Sequence, residues 1–391
     1  MKIAVYSGNI PSTTFVENLI NGLSDAGHKI ILFGKIAGKV TERNNVNIIP
    51  TPSNEIPLLF FVLKEFLKLF TRDPKLFVKS LKSFTGRSQN IKSFFRRAGV
   101  LLPVINNKPD IFHIQWAKTV QQYPELFTLI DSRIALSLRG AHINYSPIAD
   151  KPLAEAYKKY FPSINGFHAV SKAIGEEAVK YGADENKIKV IYTSVRKELL
   201  QKNSGLYHSG ILEIISVGRF HWKKGYHYAL DAMKKLKDQG VKFNYTIIAQ
   251  GDIPEEIIFL MNEYKLSECV KIIQGMEYEK LIQKLQSSHI LLLPSVEEGI
   301  ANVVLEAMAT GVPVITTDCG GMNEAVQDGV NGYVVSSREP EDIVKKINNF
   351  VNSDNEFKKN LTAKASQTVC ERFSGERQVK EFSEFYNSIF Q

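Results

Sequence analysis

Short apolar runs alternate with helix-period patterns along nearly the whole chain, and that alternation leaves few folds open. Seven runs in the first half read as strands: Lys2–Ser7, Lys29–Gly34, Val46–Pro50, Ile111–Gln115, Arg133–Leu138, Phe167–Val170 and Lys189–Tyr192. They are too short for helices and mostly continuous rather than alternating, as in parallel strands covered on both faces. Between them apolar residues recur at helical spacing, as at Phe15, Leu19, Ile20 and Leu23, with Gly27 closing the helix. Ser171 is placed to cap a helix over Lys172–Tyr181, with Gly182 at its end. The polar, glycine-punctuated stretch 201–210 reads as a linker. A second series follows, with strands expected at Glu213–Val217, Phe243–Ala249, Val270–Gln274, Ile290–Pro294 and Val312–Thr316. At 391 residues the chain exceeds one ordinary core. The expectation is an α/β fold of two doubly wound Rossmann-like domains facing a cleft, 1–200 and 211–373. The final helix, 374–391, has no strand of its own to cover and is expected to cross back to the first domain. Such folds bind ligands beyond the carboxyl ends of their strands.

Composition excludes several classes. The chain is 44% hydrophobic and 23% charged, a globular balance without low-complexity tracts. Cys269, Cys319 and Cys370 are far apart and odd in number, which disfavours a disulfide framework or a zinc site and favours a reducing cytoplasm. The first residues lack the apolar core of a signal peptide, and the longest apolar run, Ile56–Leu63, is far too short to span a bilayer. The net charge of +8 sits entirely in residues 58–102, where ten lysines and arginines face only Glu65 and Asp73. Leu59, Leu63, Phe66 and Phe70, then Leu76, Phe77, Leu81 and Phe84, lie among them at helical spacing. Two readings follow: amphipathic helices on an anionic membrane, or a helical insertion packing its phenylalanines inward with its lysines solvated. No nucleic-acid module accompanies the charge, so nucleic acid is not an expected partner.

The chemistry concentrates in the run from Pro294 to Gly321. A strand ends at Pro294, a glycine-bearing loop turns, and a helix begins near Asn302, so free N–H groups form a ready anion site. Glu298 and Glu306 would lie roughly 80° apart on a continuous helix. An isolated pair at that spacing reads as two solvated side chains. The surrounding run carries more: Glu298, Glu306, Ala309-Thr310-Gly311-Val312-Pro313-Val314 and Gly320-Gly321, continued by Glu324, Asp328-Gly329 and Asn331-Gly332. It resembles the signature of glycosyltransferase family 4. Gly218-Arg219, followed by Lys224-Gly225, resembles that family's Gly-Arg…Lys-Gly segment.

The resemblance covers nearly the whole chain, is strongest over Ser216–Val335, and implies the GT-B architecture and a retaining transferase acting on a nucleotide-sugar donor. It implies that Arg219, Lys224 and Glu298 are the catalytic set. Glu306 would hold the ribose diol and Glu298 the sugar hydroxyls. Gly218, Gly299, Ile300, Ala301, Asn302 and Val303 would complete the donor site through backbone contacts. No Asp-x-Asp occurs, so no cofactor and no essential metal is expected, with Arg219 and Lys224 standing in for the cation. The leaving phosphate would itself take the acceptor proton.

The first half is less faithful. Ala169-Val170-Ser171 and the segment to Ile191 fit the family, but Thr193-Ser194 replaces the usual Asn-Gly, and the first loop, Gly8 to Phe15, lacks Gly-Gly. Ser12, Thr13 or Thr14 would cap the next helix, whose start would face donor or acceptor. At Ser137-Leu138-Arg139-Gly140-Ala141-His142, Arg139 stands where many relatives carry a histidine. Arginine cannot accept a proton. It would hold an anionic acceptor or the leaving group, with His142 nearby. His113 reads as a strand residue near the cleft rim, and His168 and His289 as structural. The reading reached is a glycosyltransferase acting on a carbohydrate or lipid-linked acceptor in surface polysaccharide or glycolipid synthesis. It would be cytoplasmic and peripheral on the inner face of the membrane. The alternatives are a nucleotide-sugar epimerase or hydrolase on the same scaffold, or a non-catalytic sugar-nucleotide-binding subunit. A dinucleotide dehydrogenase is disfavoured because Gly-x-Gly-x-x-Gly is absent after the first strand.

Overall fold

Every expected strand forms, with ends displaced by up to three residues. A computed structural model describes residues 1–201 and 210–391, so the interior of the expected 201–210 linker lies outside the described residues. The chain divides into two compact units, Met1–Tyr192 with Gly375–Gln391, and Thr193–Ser374.

The first unit holds β1 (Lys2–Ile10), β2 (Lys29–Ile36), β3 (Val46–Pro50), β4 (Ile111–Ile114), β5 (Arg133–Leu138), β6 (Gly166–Ala169) and β7 (Ile188–Val190). They form one parallel sheet in the order β3-β2-β1-β4-β5-β6-β7. Alternation along β1 divides the core. Ile3 and Val5 point to a cluster shared with α1 (Thr14–Asp25) and the C-terminal helix Gly375–Phe390, through Phe382, Phe385, Tyr386 and Ile389. Ala4 and Tyr6 point to the opposite cluster, built with α2 (Glu55–Arg72), α3 (Pro74–Arg87) and α4 (Ile91–Asn107).

Residues 58–102 lie in α2, α3 and α4, and Phe66 and Phe84 pack into the core of the first unit, as the helical-insertion reading expects. The second half of α4 is core: Ala98 to Asn106 are all buried. On α2, Leu58, Val62, Phe66 and Leu69 also face inward. A second apolar stripe, Ile56, Phe60, Leu63, Leu67 and Phe70, remains outside, each residue between 51% and 71% exposed. At 100° per residue the two stripes lie roughly 120° apart and adjoin through Leu59, while Lys64 and Lys68 flank the far edge of the outer stripe. Helix α5 (Lys172–Val179) starts at Ser171, whose Oγ accepts from the Ile174 N–H at 3.2 Å.

The second unit holds β8 (Leu212–Arg219), β9 (Phe243–Gln250), β10 (Val270–Gln274), β11 (Ile290–Leu293), β12 (Val314–Thr317) and β13 (Tyr333–Val335). Its order is β10-β9-β8-β11-β12-β13, again all parallel. Three-residue β13, between Gly332 and Ser336, carries too little apolar sequence to be read as a strand without its neighbour β12. Helix α6 (Tyr226–Asp238) follows β8, α7 (Tyr278–Gln286) precedes β11, and α8 (Asn302–Ala309) follows it. Strand order reverses between β1 and β4 in one unit and between β8 and β11 in the other. Open α/β sheets bind ligands at these switch points, outside the carboxyl ends of the strands.

Candidate functional site

At the β8/β11 switch point two loops are pressed together by backbone. The Val296 N–H donates to the Lys223 carbonyl at 2.7 Å. A β-carbon on Gly225, at φ +63°, would stand 2.1 Å from the Pro294 carbonyl oxygen, and one on Gly320, at φ +54°, 1.8 Å from that of Glu298. Both positions therefore require glycine. This packing aims the Lys224 ammonium, whose stem passes Gly218, onto the Glu298 carboxylate. The Ser295 hydroxyl donates to the same Oε1 at 3.2 Å, and Lys223 Nζ lies 3.9 Å from Oε2.

All three charged groups are largely buried. Burial pushes the Glu298 carboxyl up, but Lys224 and Lys223, with hydrogen bonds from Lys224 and Ser295, outweigh it and hold the group below its ordinary range. Burial and the neighbouring cations push Lys223 down, against the pull of Glu298. Arg219 stands exposed at the end of β8, near enough for its charge to depress both His221 and Lys223. Two carboxylates, Glu298 and Glu297, whose charge also reaches Lys223, thus face three cations.

Helix α8 begins beside this excess. Its N-cap is Ala301, which has no side-chain acceptor, and no hydrogen bond among the described residues uses the N–H groups of Asn302 or Val303. Gly299 and Ile300 lie in the loop just before it, and the Ala301 N–H rests on Met322 Sδ at 3.4 Å. An uncapped helix start next to surplus cations is a seat for an anion. Glu306 has a different environment. Its Oε1 accepts from the Tyr278 hydroxyl at 3.1 Å, and the Arg196 guanidinium lies 3.9 Å from the centroid of the Tyr278 ring. Burial pushes its carboxyl up, against the Tyr278 hydrogen bond and Arg196.

The β1/β4 switch point in the first unit is built differently. The β1 register slips between Tyr6 and Gly8, and the Ser7 carbonyl there accepts from Trp116 Nε1 at 2.9 Å. Arg139, the first residue after β5, lays its guanidinium 4.3 Å from the Phe15 ring centroid and donates from Nη2 to Gln115 Oε1 at 3.0 Å. Beneath it a buried network runs inward, and its direction follows from its last acceptor. His168 Nε2 must donate to the Ile191 carbonyl (2.9 Å), so its Nδ1 accepts from the Ser137 hydroxyl (2.8 Å). Ser137 then accepts from His113 Nε2 (2.9 Å), which leaves His113 Nδ1 to accept from Tyr386 Oη (2.8 Å). Burial, with Arg139 adding to it, pushes His113 down to about 3, so both imidazoles are neutral. His113 is accordingly no cleft-rim residue; it is 0% exposed within the sheet. Thr13 is the N-cap of α1 and Thr14 its first residue, but the Thr13 hydroxyl makes no capping bond, contrary to the expected cap. His142 sits on the helical turn Ala141–Asn144 with its ring 5.7 Å from Trp116.

Comparison with known proteins adds a family model and several relatives. Residues 201–368 match the model described as Glycosyl transferases group 1. The amylovoran biosynthesis glycosyltransferase AmsK of Erwinia amylovora is 27% identical over 358 residues, 85% of this chain and 86% of its own. Residues 201–368 carry a group 1 glycosyltransferase domain, and the chain is a glycosyltransferase. A second relative of this transferase is the N,N'-diacetylbacillosaminyl-diphospho-undecaprenol alpha-1,3-N-acetylgalactosaminyltransferase of Campylobacter jejuni, 26% identical over 306 residues, 72% of this chain and 77% of its own. Among solved structures, Anabaena HepE in complex with UDP-glucose shares the fold, with a TM-score of 0.71 at 15% identity, covering 99% of this chain and 100% of its own. The two Rossmann-like sheets are thus those of the GT-B class.

The structure brings Lys224, Glu298 and the start of α8 together and sets Arg219 beside them. It adds to this candidate site three residues that local sequence does not single out. Lys223 was one of two adjacent lysines, and only its burial distinguishes it from a solvated neighbour. Tyr278 and Arg196 come from separate segments, and nothing in their local sequence links them to Glu306.

Proposed function

We propose that this glycosyltransferase binds a nucleotide-sugar in its second unit and moves the sugar, with retention of anomeric configuration, onto a carbohydrate or lipid-linked acceptor. The setting is surface polysaccharide or glycolipid synthesis on the inner face of the cell membrane. The observation that carries this reading is the gathering of three cations, Lys223 and Lys224 buried and Arg219 exposed, beside the uncapped start of α8. In transfer, the bond from the sugar C1 to the donor's diphosphate oxygen breaks and a bond from C1 to the acceptor oxygen forms. The acceptor proton passes to the departing phosphate. Charge grows on that phosphate, and preorganised donors in a water-poor site stabilise it there. Lys224 and Arg219, with Lys223 behind them, and the N–H groups of Asn302 and Val303 are the donors this chain offers. Glu298 keeps Lys224 in place until a donor sugar's hydroxyls take over the carboxylate, and Glu306 is left for the ribose diol. The UDP-glucose seated in HepE and the lipid diphosphate in the name of the Campylobacter relative support the two substrate classes.

The outer stripe of α2 gives this transferase a lipid-facing surface. A helix that stays apolar on its exposed side and flanks that side with lysines suits an anionic bilayer, where each lysine near the surface adds about 1 kcal/mol. No helix among the described residues is long and apolar enough to cross a membrane. A panel of UDP-, GDP- and ADP-sugars screened by thermal shift tests the donor reading: one family of nucleotides should raise the Tm. Transfer should survive EDTA. A flat response to every nucleotide contradicts the proposal, and nucleotide release without transfer to any acceptor makes the protein a hydrolase instead.

A further inference from the structure

Arg139 is a half-buried cation without an anion. None of the ion pairs among the described residues includes it, its Nε is buried without a hydrogen-bond partner, and its one partner, Gln115, is neutral. The groups packed around it are neutral as well: Phe15, Trp116 and the His113–Ser137–His168 network. Burial pushes its guanidinium down to about 9, which leaves it protonated at neutral pH. Three further features point the same way. The Nδ1 of His142 is buried without a partner, 5.7 Å between ring centroids from the Trp116 indole that Arg139 also approaches. Lys118 lies near enough to depress His142 electrostatically. The first turn of α1, which carries Phe15, has no hydrogen bond from the Thr14 or Phe15 N–H.

We infer that the Arg139 pocket is the seat of a phosphate carried by the acceptor, gripped by the free edge of the guanidinium and the open N–H groups of α1. A phosphate fits better than a carboxylate because the pocket offers more donors than two oxygens can use. Arginine rather than lysine suits the place because its planar head stacks on Phe15 and presents a fixed fork. This deepens the proposed function by naming the acceptor class, and it makes Arg139 a specificity residue.

The test uses the full chain as Lys224→Ala with Arg219→Ala, which weakens the anion seat of the second unit, and the same chain with Arg139→Gln added. Inorganic phosphate is titrated by calorimetry, followed by undecaprenyl phosphate in neutral phosphatidylcholine vesicles. The first variant should bind phosphate, and the Arg139→Gln addition should weaken binding at least tenfold while Arg139→Lys recovers part of it. Loss of lipid-phosphate binding in parallel assigns the phosphate to a lipid carrier. Loss of inorganic phosphate binding alone assigns it to a soluble sugar phosphate. Equal phosphate binding with and without Arg139, or no binding by the first variant, overturns the inference. Failure of the donor reading is separable, because it appears as absent nucleotide binding in the unmodified chain while phosphate still reports on Arg139.

Discussion

The two switch points hold their cations in opposite electrostatic states. In the second unit Lys224 rests on Glu298, and the pair waits as a preassembled unit whose carboxylate also restrains Lys223. In the first, Arg139 is held by an aromatic face and an amide, with no carboxylate at all. A strongly hydrated ammonium buried without a counter-charge tends to lose its proton, whereas a guanidinium, weakly hydrated and flat, keeps its charge when stored against a ring. The difference teaches that a site can keep charge ready by pairing it internally or by stacking it. Only the stacked cation leaves its whole charge for a ligand.

Removing Lys224 should break the comparison most sharply. Lys224→Ala is expected to slow transfer by about a hundredfold to a thousandfold, the typical effect of losing one preorganised donor, with the fold intact by circular dichroism. Near-normal turnover would count against its phosphate role. Glu298→Gln attacks the same pair from the other side. It leaves two buried lysines uncompensated, and stability at pH 7 should fall by about 3 kcal/mol in urea unfolding. The pH dependence has a definite sign. Because the folded-state pKa of Glu298 is depressed, its contribution is present above the ordinary glutamate range and fades as pH falls through the folded value. The gap between wild type and Glu298→Gln should therefore close below about pH 4.

Two smaller effects sharpen the contrast. Phe60→Glu with Leu67→Glu changes only exposed positions, so the fold should persist. Sedimentation with anionic vesicles should drop severalfold, and binding of the parent chain should weaken with salt. Equal binding of the parent chain to neutral vesicles would contradict an electrostatic contribution. Glu306→Gln should move stability the other way from Glu298→Gln. A carboxyl whose folded pKa is raised is penalised when ionised, so removing its charge should lift the Tm at neutral pH by about 1–2 °C. The gain should begin to shrink as pH falls through the folded value and be gone below the ordinary glutamate range, while nucleotide binding weakens.

Much of this was legible in the sequence, for physical reasons. Strands buried on both faces must be continuous apolar runs, so the two sheets announce themselves, and the Pro294–Gly321 segment needs glycines wherever backbone meets backbone. Periodicity could not tell which of two apolar stripes on α2 faces inward, because burial is decided by what α4 presents. It also could not separate Lys223 from Lys224, nor see that His113 is drawn into a polar network by Tyr386, 273 residues away. Those facts belong to long-range packing, which leaves no local pattern.

The most direct test compares the binding of a nucleoside diphosphate and its parent nucleoside, for uridine, guanosine and adenosine, to the wild type and to Lys224→Ala. For the matching base, the diphosphate should bind the wild type far more tightly than the nucleoside does, and most of that advantage should disappear in the variant. A diphosphate advantage unchanged by the loss of Lys224 would contradict convergence of that lysine and the start of α8 on the donor's phosphates.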